Sequence, residues 1–179
     1  MSLVKLTGTL GFLRRNLRIL NEETKTLAYK TIVRPSLEYC SMVWNPYTKE
    51  QTRKIEMVQR RAARYVTNRY HNTSSVTNML DHLGWESLES RRTKAQLTML
   101  YKITNGLVDI PADRHLTPGH SVATRSAHAK TYLQPSTTTT YYRNSFFPRT
   151  VTSWNQLPAE LAEAPDLVSF KRGLGSLSF

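Results

Sequence analysis

The chain has 179 residues, 39% of them hydrophobic and 21% charged, enough for one domain or two small ones with a real core. Its net charge of +12 is unevenly spread: residues 1–72 carry 14 Lys/Arg against 5 Asp/Glu, a net +9, whereas residues 73–179 carry 11 against 8, a net +3. No apolar run approaches the roughly 20 residues of a transmembrane helix, so a transmembrane protein is not expected, and the basic N-terminal part points to a polyanion.

At the N-terminus, MSLVKLTGTLGFLRRNLR places its arginines after the apolar patch, the reverse of a signal peptide. The lone Cys40 forbids an internal disulfide and fits a reducing compartment, so an intracellular chain, nuclear or cytoplasmic, is expected. Cys40 itself reads as a small buried hydrophobe on a helix.

The spacing predicts a first helix over residues 3–18, with Leu6, Leu10, Leu13 and Leu17 as its apolar seam and Arg14, Arg15 and Arg18 in its last turns. Asn21 caps a second helix with Glu22 and Glu23 in its first turn, and its seam runs Tyr29, Val33, Leu37, Cys40, Trp44. Pro35 removes a backbone donor, so a kink or break is expected near Arg34. Thr48 caps a third helix reaching Tyr70, with Ile55, Val58, Ala62, Tyr65 and Val66 on one face. Arg53, Met57, Arg60 and Arg64 recur on a second face, with Lys54 and Arg61 beside it. Three helices with short connections predict an antiparallel bundle over residues 1–72.

Residues 73–107 read as a helical connector. HNTSS is a loop and cap, a short helix spans Val76–Leu83 and ends at Gly84, and Ser87 starts a longer helix that runs to about Asn105 before Gly106. Arg91 and Arg92 either extend the basic surface or pair with Glu86 or Glu89. Residues 108–143 are loop-rich, and the β composition of Tyr132–Leu133 and Thr137–Tyr142 suggests a short hairpin. In residues 144–179, Phe146–Asn155 reads as helical with Pro148 in an early turn, and Asp166 caps a last helix carrying Leu167, Phe170 and Leu174. The fold class is mainly α.

The motifs of enzymatic chemistry are missing from the sequence. It has no glycine-rich phosphate loop, no GxSxG, no HExxH and no paired cysteine ligands. The five histidines (His71, His82, His115, His120, His128) fall in expected loops or at helix ends, and no aspartate pair suggests a two-metal centre. No cofactor or metal is expected, and the chain alone should be catalytically inert. What remains is basic helices interleaved with aromatics. Arginines and lysines at helical spacing can neutralise successive phosphates. Of the aromatics, Phe12, Tyr29, Trp44 and Tyr65 fit core packing better than base stacking; Tyr47 and Tyr70, at helix ends, are the better stacking residues.

Several linked stretches resemble a known family. LGFLRRNL (Leu10–Leu17), AYKTIVRPSLEYCSMVWNPY (Ala28–Tyr47) and IEMVQRRAARYV (Ile55–Val66) are similar to the segment that follows the polymerase core in reverse transcriptases of jockey-type, LINE-like non-LTR retrotransposons. LGWESLESRR (Leu83–Arg92), LYKITNGL (Leu100–Leu107) and FFPRTVTSWNQLP…FKRGL (Phe146–Leu174) resemble the tail of the same polyproteins, in the same order. The resemblance implies a thumb and post-thumb region of an RNA-directed DNA polymerase, whose helical bundle holds the template–primer duplex. The metal-binding palm is absent from these residues, so they are expected to bind without synthesising. Arg14, Arg15 and Arg18 become the groove-facing cations, extended by Arg53, Lys54, Arg60, Arg61 and Arg64. The implied partners are RNA or RNA–DNA duplex and the palm and fingers core of a reverse transcriptase. Two other readings stand beside this one: a protein–protein module docking on a polymerase core or acidic partner, and a relic without selected function.

Overall fold

A computed structural model describes residues 3–71, 73–119, 128–177 and 179, with the side chains of residues 3–6 outside that set. The fold is mainly α-helical. The chain divides into two compact units, Met1–Ser41 with Asn45–Arg91 and Met42–Trp44 with Arg92–Phe179.

The first unit is built on three helical passes. α1 (Leu3–Asn16) buries Leu10 and Leu13; Leu6 of the expected seam is among the side chains not described. α2 (Glu22–Ala28) starts at Asn21, whose Oδ1 accepts from the Thr24 N–H at 2.9 Å. It continues as a π-helical turn, Tyr29–Val33, into α3 (Arg34–Glu38). This is the form the expected break at Pro35 takes. The Arg34 N–H reaches back five residues to the Tyr29 carbonyl, and Pro35, which has no N–H to give, follows it directly in α3. After α4 (Ser41–Trp44), α5 (Lys49–Thr67) is capped by Thr48, whose Oγ1 accepts from the Gln51 N–H at 3.3 Å.

Tyr29, Val33 and Leu37 are buried as expected, but the seam fails at Cys40 and Trp44. Tyr39 leaves the helical region and Cys40 takes a left-handed conformation, φ 52°, so the helical phase is reset and both Cys40 and Trp44 are exposed. α5 buries the expected Ile55, Val58, Ala62, Tyr65 and Val66, together with Gln59 and Ala63. Gln59 is the polar centre of the core. Tyr29 Oη donates to its Oε1, and its Nε2 donates to the Glu86 carbonyl, each at 2.9 Å. α6 (Val76–His82) and the stretch to Leu88 also belong here, since Met79, Trp85 and Leu88 join the same core and Trp85 stacks on Tyr29 at 4.4 Å. Gly84, at φ 60°, closes α6: the Trp85 N–H bonds the Leu80 carbonyl and the Gly84 N–H that of Asp81, a left-handed exit suited to glycine.

In the second unit, α7 (Leu88–Thr104) supplies Leu97, Leu100 and Tyr101 to a core completed by α9 (Phe146–Trp154), α10 (Ala159–Ala162) and α11 (Leu167–Gly175). Tyr101 stacks on Phe170 at 4.4 Å and its hydroxyl donates to the Ala164 carbonyl. Pro148 sits in the first turn of α9, and Asp166 caps α11 by accepting from Val168 and Ser169 N–H groups at 2.8 Å. These N–H groups hold the Asp166 carboxyl below its ordinary range. The expected hairpin is replaced by two other structures. Tyr132 makes an isolated antiparallel bridge to Pro118 and is clamped by Asn155, which donates to its carbonyl and accepts from its N–H. Thr140–Arg143 forms the short helix α8, because Thr139 offers its hydroxyl as a local cap to the Tyr142 N–H.

Candidate nucleic-acid interface

The expected basic residues lie on the first unit, where α1 and α5 pack side by side. Their contacts advance in step: Thr7 and Gly8 lie beside Lys54 and Met57, and Leu13 and Leu17 meet Tyr65. The two helices therefore run in the same direction. α2 runs against them, with Lys25 near Tyr65 and Tyr29 near Gln59, as in an up-down-up bundle. The Tyr65 hydroxyl donates to the Leu13 and Leu17 carbonyls at 3.3 and 3.5 Å, which fixes the end of α1 against α5 and serves carbonyls that a helix terminus leaves open.

This packing brings the two arginine clusters together. One depression is lined by Gly8, Gly11, Arg15, Lys54, Met57 and Arg61. A second holds Arg14, Arg61, Arg64, Tyr65 and Tyr70. A third, at the ends of the helices, holds Arg14, Arg15, Arg18, Lys25, Asn68 and Tyr70. None of the three is lined by a carboxylate. Arg14, Arg15, Arg18, Arg53, Lys54, Arg60 and Arg61 are all exposed, and Arg64 is half-buried. The glycines at positions 8 and 11 help to keep the surface between the helices low, since neither carries a side chain into the depression.

The α5 cations divide differently from the expected stripe. At 100° per residue, Lys54 and Arg61 flank the buried face on the side of α1, and Arg64, though nearly opposite that face, is half-buried and lines the second depression. Arg53 and Arg60 point away from the core and line none of the three depressions. Lys54 is also tied to Glu50 at 2.6 Å, and that ammonium holds the Glu50 carboxyl below its ordinary range. The pair is fully exposed and therefore weak.

The aromatics separate as well. Tyr29 and Tyr65 are buried, but Phe12 is 57% and Trp44 40% exposed, against the expectation of core packing. Phe12 stands two residues from Leu10, about 200° round α1, which puts it opposite the seam. Tyr47 and Tyr70 are exposed at helix ends, and the Arg14 guanidinium lies 5.1 Å from the Tyr70 ring centroid. Arg91 does not join the basic surface. It pairs through Nε and Nη2 with Glu38 rather than with Glu86 or Glu89, and Glu38 holds the guanidinium in its charged form.

Two lining residues were missed in the sequence. Lys25 is buried beneath the third depression with its Nζ 5.4 Å from the Tyr65 ring centroid. Its spacing of four residues from Tyr29 extends the α2 seam backwards and was the available signal. Asn68, at φ 54°, ends α5 in a left-handed turn that asparagine tolerates and that directs the chain to Tyr70.

Among the described residues no group of three or more His, Cys, Asp or Glu could hold a metal ion. His71 and His115 are exposed, and His82 meets Glu22 at 3.0 Å. His128 is buried and donates from Nε2 to the Trp154 carbonyl, whereas His120 lies outside the described residues. No described helix is long and apolar enough to cross a membrane. No protein-family model, curated protein or solved structure matches this chain.

Proposed function

We propose that the chain is a nucleic-acid-binding segment that grips RNA or RNA–DNA duplex by its phosphates, in the manner of the thumb region of a jockey-type, LINE-like non-LTR reverse transcriptase. In this reading it binds and positions a duplex without transforming it. The observation that carries the reading is the convergence of Arg14, Arg15, Arg61 and Arg64, distant in sequence, on acid-free depressions between α1 and α5. Arginine can approach phosphate oxygens bidentately, and contacts of this kind hold a backbone without reading bases. The reverse transcriptase part of the reading rests on the sequence resemblance alone.

Changing Arg60, Arg61 and Arg64 together to alanine tests it. Affinity should fall by a similar factor for unrelated RNA sequences, because phosphate contacts carry no sequence information. A loss confined to one sequence, or no loss, contradicts the reading. A second reading, docking on the palm and fingers of a polymerase or on an acidic protein, is favoured by the exposure of Phe12, Ile19, Leu27 and Ile32 on the same unit. Size-exclusion profiles with and without RNA separate the two: a chain that ignores RNA but co-elutes with a polymerase core supports the second.

A further inference from the structure

The depression at the ends of α1 and α5 has a volume of about 520 Å³ and differs from the other two in its floor. Lys25 is only 6% exposed, and its ammonium has no carboxylate and no hydrogen-bond partner among the described residues; it lies against the Tyr65 ring. The Lys25 ammonium is not among the buried polar atoms that lack a partner; it faces the recess that it lines. Arg14, Arg15 and Arg18 line the same depression with no acid among them. The recess thus gathers four positive charges, and an entering anion would meet all of them together. The ligand must carry its charge to the bottom of a recess to meet Lys25. An internal phosphodiester is held at arm's length by the sugars on both its sides and carries a single charge. A terminal phosphate monoester protrudes from its strand and carries nearly two.

Tyr70 supplies the other half of the match. It stands at the rim, 45% exposed, with the Arg14 guanidinium against its ring, and so presents an aromatic surface where the nucleotide behind a terminal phosphate would lie. We infer that this recess is a binding site for the terminal phosphate of a nucleic-acid strand, with Lys25 as its innermost cation. The inference rests on the nucleic-acid reading of the α1–α5 face for the source of the phosphate.

The test uses the full chain and one internally labelled RNA in three forms, with a 5′-phosphate, a 3′-phosphate or hydroxyls at both ends, at one fixed salt concentration. One phosphorylated form should bind about tenfold more tightly or better than the hydroxyl form, the size of an added charge-assisted contact, and which end does so assigns the polarity of the strand. Inorganic phosphate should erase that advantage in the unaltered protein. Lys25→Met, which keeps the apolar stem, should bring the ratio to about one, whereas loss at a merely structural lysine would leave the ratio unchanged. Equal affinity for all three forms overturns the inference while leaving the duplex interface standing. An advantage that survives Lys25→Met, or that inorganic phosphate does not touch, overturns it as well. If no form binds, the interface reading falls with it.

Discussion

The residue that organises the first unit is Gln59. It is surrounded by apolar side chains, and burial would be prohibitive for an amide left without partners. Tyr29 and the Glu86 carbonyl satisfy it, tying the π-helical turn after α2, α5 and the turn before α7 to one point. Burial also pushes the Tyr29 hydroxyl above its ordinary range. The folded state therefore holds a proton that the unfolded chain gives up, so this contribution is intact below about pH 10 and is lost as pH rises beyond it. Tyr29→Phe should lower stability by about 1–3 kcal/mol at neutral pH, because Gln59 Oε1 loses its donor. Above about pH 10 the variant should lose stability less steeply than the parent, by up to about 1.4 kcal/mol per pH unit. Urea unfolding at neutral and alkaline pH measures both. Helical spacing makes the apolar neighbours of Gln59 legible in the sequence, but a polar residue in phase with them reads equally well as a boundary position. The same ambiguity hides Lys25, which shares the seam of Tyr29 and ends up buried.

At the scale of elements, capping residues and proline carry clear meaning. Asn21, Thr48, Ser75 and Asp166 each accept backbone N–H groups at the start of the helix they precede. The consequence of Pro35 is legible only as a kink or break; the π-helical turn that absorbs it, with Tyr29 and Val33 both buried, is not written in the spacing. Thr137–Tyr142 misleads because β composition describes a pleated surface that needs a partner strand, and the described residues offer none there. α5 shows a finer limit. Periodicity separates its basic side from its apolar side, but which cations face α1 depends on where that helix packs. Arg61→Ala with Arg64→Ala should accordingly weaken RNA binding more than Arg53→Ala with Arg60→Ala, although each pair removes two charges. Equal losses from the two pairs would mean that α5 acts as a charged rod without a groove.

Across the whole molecule, net charge alone does not mark the α1–α5 face: the unit that carries it holds 15 Lys/Arg against 8 Asp/Glu, and the second unit, built around Tyr101, Trp154 and Phe170, holds 10 against 5. What sets the face apart is the gathering of its cations around depressions that no carboxylate lines. The residues expected as a connector, from Val76 to Leu88, complete the core of the first unit. Sequence spacing could not assign them, because a short amphipathic helix reads alike whichever neighbour it covers. If the basic face neutralises phosphates, the affinity for an RNA–DNA duplex must fall as salt rises, and a salt titration measures this. Roughly four to six neutralised phosphates predict a slope of about −4 to −5 in a plot of log affinity against log salt concentration. An affinity that barely changes between low and moderate salt would contradict the account.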